Sequence, residues 1–191
     1  AEIRRRILEP LGMTQTYMES FEPIPDGIVN HYHYATPIFA EVAGIHDAYT
    51  EIRPYLVEST AGNLSPEWTA GGMVASASDL VRWMQSIRDG ELVSADMQRE
   101  AFTYYPPKEP AEREYLQGIA KVNDYYGGWD AYGHSGGTLG FSAQMYWINQ
   151  PGVIFILLAN VGGMHSGLTV SPVGLFSKYV LLPAVMEYLS L

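Results

Sequence analysis

The feature that most narrows what this chain can fold into is a pair of apolar runs near its C-terminus. Phe141 to Ile148 and Val153 to Ala159 have strand length and strand composition, and Asn149-Gln150-Pro151-Gly152 between them is turn chemistry. Two such runs so close together predict an antiparallel hairpin, and the unbroken apolarity of the second predicts a strand buried on both faces. A lone hairpin is unstable in water, so a further apolar element must cover it. Val173 to Leu189, apolar and interrupted by Pro183, is the segment expected to pack over the sheet as a closing helix.

Helical signals lie upstream. Ile3, Ile7, Leu8 and Leu11 keep helical spacing until Pro10 and Gly12 break it. The clearest helix opens at Ser76, a good N-cap, with Asp79 in the first turn where the macrodipole favours an acid. Leu80, Trp83, Met84 and Ile87 form its apolar stripe, which makes Trp83 and Met84 core residues, and Gly90 supplies its stop. Ser94 to about Tyr104 predicts a second short helix, ended by Pro106-Pro107 and Pro110. Tyr115 to Val122 predicts a strand, bounded by Asn123-Asp124 and Gly127-Gly128. Phe21 to about Leu64 has no sustained period and predicts long loops with short irregular elements; so long a structureless stretch either is functional or conceals elements the pattern does not show.

These elements define an α+β fold in which helices pack on an antiparallel sheet. At roughly 150 residues per domain, the chain accommodates one domain or part of one. Residues 1–112 form the helical and loop region, and residues 113–191 the strands and closing helix. The sequence starts without Met and already within a helical pattern, so it is expected to be an incomplete C-terminal portion of a longer protein. No apolar stretch follows Arg4-Arg5-Arg6 to make a signal peptide, and these arginines are expected on a solvated helix face.

Composition removes several functions. Of the 191 residues, 47% are apolar and 17% charged, enough for a core and too little charge for a disordered tail. A net charge of −10 repels phosphate backbones and argues against nucleic-acid binding. The absence of cysteine excludes disulfides, thiolate metal sites and a cysteine nucleophile. Val153 to Ala159, the most apolar run, falls far short of the roughly 20 residues that span a bilayer.

The densest chemical feature is Gly133-His134-Ser135-Gly136-Gly137-Thr138-Leu139-Gly140-Phe141, with four glycines in nine residues. Three readings compete. A glycine-rich turn with a chance histidine is the plainest. Gly133 to Gly137 also fits G-x-S-x-G, the nucleophile elbow of α/β-hydrolases, with Ser135 as nucleophile. That reading needs a helix after the turn and then an acid and a histidine in that order. Here a strand follows, and beyond Ser135 the one acid, Glu187, comes after the one histidine, His165. The third reading is a substrate-side strand, with His134 and Ser135 facing a ligand and backbone N–H groups near Gly137 stabilising an oxyanion.

The third reading is strengthened by a resemblance that runs from Ile3 to Asn160. Ile7 to Thr16 resembles a "PLGM-x-x-T" segment, and Ala70 to Leu80 an "AGG-x-x-S-x-x-DL" helix entry. Tyr115-Leu116-Gln117-Gly118, His134-Ser135-Gly136, Gly140-Phe141 and Leu158-Ala159-Asn160 follow in the same order. In this register the chain resembles the C-terminal half of a penicillin-recognising serine hydrolase, the group of class C β-lactamases, D-alanyl-D-alanine carboxypeptidases and family VIII esterases.

The resemblance implies a β-lactamase/transpeptidase-like fold and a serine acyl hydrolase that works through an acyl-enzyme without a cofactor. Its substrates would be D-Ala-D-Ala-type peptides, β-lactams or small esters. His134 would stand at the lysine of the family's Lys-Thr-Gly or His-x-Gly motif and Ser135 at the hydroxyl position. Gly137 would give a backbone oxyanion donor, with Gly136, Thr138 and Asn160 contacting substrate. A neutral imidazole is a weaker carboxylate partner than lysine, which resembles the peptidase and esterase branches more than typical class C β-lactamases. The family's Ser-x-x-Lys and Tyr-x-Asn are absent; Tyr146 reaches Asn149 in three steps, not two. Both belong upstream of Ala1 in the family's order, so this chain alone is expected to be inactive. A relative with decayed upstream motifs would instead be a non-catalytic peptide or cell-wall binder. The family's sheet pairs strands from both ends of the chain, so this portion is expected to expose an edge that takes the missing half or a second copy. Extracytoplasmic localisation follows from the resemblance alone.

Other residues carry weaker signals. His31 and His33 alternate as on a strand with His46-Asp47 nearby, a conceivable zinc set, although packing explains such histidines more simply. Asn63-Leu64-Ser65 fits a glycosylation acceptor but is followed by Pro66. The tyrosines from Tyr104 to Tyr146 suit either a cleft or half-buried strand positions.

Overall fold

The computed structural model describes residues 1–106, 114–126, 128–150, 152–168 and 171–190. A short helical turn, Arg4–Leu8, opens the chain and is followed by β1 (Thr16–Met18), β2 (Tyr32–Tyr34), α1 (Pro37–Val42), β3 (Thr50–Arg53) and β4 (Leu56–Glu58). Next come α2 (Trp68–Gly71), β5 (Met73–Ala75), α3 (Ala77–Asp89) and α4 (Ala95–Ala101). The C-terminal part holds β6 (Glu114–Tyr115), β7 (Ala120–Tyr126), β8 (Trp129–Thr138), β9 (Phe141–Ile148), β10 (Ile154–Ala159) and β11 (Val161–Gly162). It ends in α5 (Pro172–Phe176), a π turn over Ser177–Leu181, and α6 (Leu182–Ser190). Among the described residues the strands form three sheets, in the orders β10-β9-β8-β7-β6, β11-β2-β4-β3 and β1-β5.

The chain divides into two compact units, each assembled from separated segments. The first comprises Ala1–Gln15, Ser76–His134 and Met145–Ile156. Its longest helix, α3, is capped at both ends: the Ser76 hydroxyl accepts from the Asp79 N–H, and Gly90 ends the helix at φ +69°. Met84 is buried, and Trp83 packs with Ile7 and Leu92 against Leu8, Leu11 and Met13, so the opening helix and α3 share one core. Asp79 Oδ2 accepts the Gln15 N–H at 2.8 Å and fastens the two together. Ser94 caps α4 in the same manner as Ser76 caps α3. Tyr146 and Trp147 are consecutive on β9 and therefore point to opposite faces. Tyr146 stacks with Tyr125 and meets Phe155 at a tilt, while Trp147 stacks on Tyr132 with Phe102 edge-on. Tyr125, Tyr132 and Tyr146 are packing residues.

The second unit comprises Thr16–Ala75, Ser135–Gln144 and Leu157–Leu191. Ala35, Phe39 and Val57 form its core, with Tyr49 and Leu139 against it. β2 pairs antiparallel with β4 and parallel with β11, which places Gly162 beside His33. The Thr36 hydroxyl caps α1, and the Asn63 side chain accepts from the Ser65 N–H to start the turn into α2.

Several expectations need correction. Phe21 to Leu64 holds three strands and a helix, each too short to leave a periodic signature. Tyr115 to Val122 is not one strand: the chain turns at Leu116–Gly118, with Gly118 at φ +88°, and β7 then runs through Asn123 and Asp124 with a break in register. Val153 to Ala159 is not buried on both faces; within β10 only Phe155 is buried, and Leu158 is 42% exposed because β10 is the terminal strand of its sheet among the described residues. Pro183 does not interrupt the closing helix. The Leu182 N–H reaches back five residues to Ser177 O, and this π turn frees the geometry at which a proline lacking an N–H is tolerated. The buried side of that helix accordingly steps from Val173 to Ser177 to Leu182, four residues and then five. Pro107, Pro110, Gly127, Pro151 and the 112/113 boundary lie outside the described residues.

Candidate functional site

The glycine-rich run is strand β8 and the turn beyond it, and its four glycines serve two purposes. At Gly133 an added Cβ would lie 2.0 Å from Met145 O, and at Gly140 it would lie 1.9 Å from His31 Nδ1 on a backbone with φ of +78°. Those two are glycine because the fold leaves no room. At Gly136 an added Cβ meets nothing within 4 Å, and at Gly137 only Phe141 O at 3.8 Å. Neither has a positive φ, so neither packing nor backbone conformation demands glycine there. What bare backbone provides at these two positions is access.

That access opens on a pocket of about 300 Å³ within the second unit, lined by Ser135, Gly136, Gly137, Ser142, Gly163, Met164, Leu168 and Ser171. Every lining side chain is neutral. Ser142 is buried, and its hydroxyl donates to Val161 O at 2.7 Å, tying one wall to β11. Ser142, Gly163, Met164 and Ser171 escaped the sequence reading; the loop after β11 carries no motif, and only its folding back beside β2 brings it here.

The remaining candidates are placed as follows. His134 belongs to the first unit, where Nε2 lies 2.8 Å from the Tyr115 hydroxyl and the rings meet edge to face at 5.8 Å. Tyr115 thereby joins the candidate residues, since it fixes the orientation of that imidazole. The Thr138 hydroxyl donates to Glu67 Oε1 at 2.5 Å, so this side chain turns to the residue that precedes α2 and not to the pocket. The Asn160 amide donates to Asn30 O at 2.7 Å and holds the entry to β2. Ser135 continues within β8, with no helix after it, so the strand–turn–helix context of a nucleophile elbow is absent. His31 and His33 are buried and hydrogen-bonded, and among the described residues no three His, Cys, Asp or Glu side chains are grouped to hold a metal.

The five-stranded sheet formed by the described residues, together with the helices, has the β-lactamase/transpeptidase-like architecture. The Beta-lactamase family model matches residues 1–170, and the chain belongs to that family. Solved structures agree on the fold. The chain is similar to the D-amino acid amidase from Ochrobactrum anthropi SV3, with a TM-score of 0.68 and 24% identity, covering 84% of this chain and 45% of that one. It is similar also to a D-stereospecific amidohydrolase from Streptomyces sp., with a TM-score of 0.64, 20% identity and coverage of 84% and 43%. The octameric penicillin-binding protein homologue from Pyrococcus abyssi matches with a TM-score of 0.60 and 22% identity, covering 95% of this chain and 37% of that one. The chain thus spans less than half the length of these structures. No curated protein matches it significantly.

Proposed function

We propose that this chain is the substrate-side portion of a serine acyl hydrolase whose nucleophile and general base come from a Ser-x-x-Lys and a Tyr-x-Asn outside it. The observation that carries the reading is the pair Gly136 and Gly137, glycine without internal cause, at the mouth of a neutral pocket. In such an enzyme the Gly137 N–H donates to the oxyanion of the tetrahedral intermediate, a contribution of about 3 kcal/mol in comparable acyl transfer. Ser135 and the imidazole of His134 bind the substrate's amide or carboxylate and assist proton movement, with Tyr115 setting the ring. The serine outside the chain attacks the carbonyl, the acyl-enzyme forms, and water releases the acyl group.

Substrates are D-Ala-D-Ala-type peptides, β-lactams or small esters and amides. The uncharged lining supports the last group for the part of the substrate that enters the pocket, because a buried carboxylate would find hydroxyls and no cation there. The exposed edge at β10 receives the remainder of the protein or a second copy. Family membership supports an extracytoplasmic location, and among the described residues no helix is long and apolar enough to cross a membrane.

Intact mass after exposure to a fluorescent penicillin and a fluorophosphonate tests the reading. This chain is expected to take up neither, whereas the full-length product is expected to acquire one adduct on the serine of its Ser-x-x-Lys. An adduct mapped to Ser135 would overturn the assignment and restore the elbow reading.

A further inference from the structure

His33 is completely buried, yet the family reading gives it no task. Its ring has two fixed partners. Nδ1 accepts the Gly140 N–H at 3.0 Å, and Nε2 lies 2.9 Å from Met164 O. A backbone N–H can only donate and a carbonyl oxygen can only accept, so the imidazole must be neutral with its proton on Nε2. Gly140 terminates the turn that follows Gly136 and Gly137, and Met164 lines the same pocket as those two glycines. The space around this junction is full. A Cβ on Gly162 would stand 2.5 Å from Thr138 O, 2.6 Å from Gly140 N and 2.7 Å from His33 Nδ1. The Phe39 ring covers the imidazole at 4.5 Å between centroids, and Ser166 Oγ, which donates to Tyr34 O, lies 3.4 Å from Nε2.

We propose that His33 is a positioning residue: its neutral Nε2–H imidazole is the crosspiece that holds the Thr138–Gly140 turn against the Gly163–Met164 wall and so fixes the width of the pocket. A second proton on the ring would remove the acceptor for the Gly140 N–H and release the turn, so the bridge opens in acid. Burial already pushes the His33 imidazole below the ordinary histidine range, the Met164 carbonyl opposes this, and His165 and His31 push it further down. The titratable groups that act on it are His31, two residues before it in the chain, and His165 on the Met164 loop; Glu58 on β4 acts in turn on His31, and the acid of α1, Glu41, is exposed. The consequence for acyl transfer rests on the function proposed above, while the bridge itself does not.

Two isosteric variants separate its bonds. In His33→Asn the side-chain oxygen can replace Nδ1 as acceptor for Gly140, and in His33→Gln the amide N–H can replace Nε2 as donor to Met164. Amide hydrogen exchange of the ¹⁵N-labelled chain should show Gly140 protected in wild type and in His33→Asn, and about tenfold or more faster in His33→Gln. Both variants lose one buried bond, so urea unfolding midpoints should fall similarly; a purely structural role would not separate them at Gly140. In wild type, Gly140 protection corrected for intrinsic exchange should fall on acidification, and His33→Asn should abolish that step. Imidazole ¹⁵N shifts of unaltered protein provide the reading that needs no variant, with Nε2–H expected. An Nδ1–H or charged ring at neutral pH, equal Gly140 exchange in the two variants, or an acid step that survives in His33→Asn would overturn the proposal. None of these readouts uses a substrate, so failure of the bridge and failure of the hydrolase reading are separate results.

Discussion

Gly136 and Gly140 are four residues apart and should respond oppositely to the same substitution. Gly140→Ala places a methyl on a left-handed backbone and into His31, where ring and strand are both fixed; it should destabilise by more than about 2 kcal/mol in urea unfolding. Gly136→Ala meets open space and should stay within about 0.5 kcal/mol of wild type. The two buried histidines make a further prediction at this scale. Burial is the first cause holding both His31 and His33 below the ordinary imidazole range. Between that range and their lowered folded values, the unfolded chain binds more protons than the folded one, so stability rises with pH. It should be fully present above about pH 6.5 and fall as pH drops below it, by at most about 1.4 kcal/mol per pH unit for each ring. Urea midpoints at a series of pH values would check the sign, and a flat profile would exclude both rings as linked groups.

Among the elements, α3 is where local sequence decides the structure. Ser76→Ala removes an N-cap and should cost about 1 kcal/mol. Asp79→Ala leaves the Gln15 N–H without that acceptor in a part-buried site and should cost about 1–3 kcal/mol, with Asp79→Asn recovering part of it in the same denaturation assay. The cap, stripe and stop of this helix were legible in the sequence because each signal falls within a turn of the residue it governs. β9 was legible for a related reason: its strand-forming composition and the turn residues that follow it are local signals too. β2, β4 and β11 were not. Their spans of two or three residues carry no period, and what holds them is pairing between residues far apart in the chain. The same distance hid Met164 and His33 from the reading of the site, while the Gly133–Gly140 run announced itself by composition. The π turn ahead of Pro183 was masked because one extra residue in a helix leaves no trace in residue types.

For the molecule as a whole, the terminal strand β10 with Leu158 on its surface is a template for further pairing. Sedimentation velocity should show association that grows with concentration, and Leu158→Lys should reduce it, because a charge there must be buried in any strand added at that edge. A larger consequence lies in how the two units are threaded. The first needs residues up to Ile156 and the second needs residues beyond Leu157, while both begin before Ser76. During synthesis, then, β2 and β4 emerge from the ribosome long before β11 exists to pair with β2. Contacts so far apart in sequence slow folding and leave apolar surface waiting. Nearly the whole chain must be made before either unit can close, so the order of synthesis and the order of folding are uncoupled over most of its length.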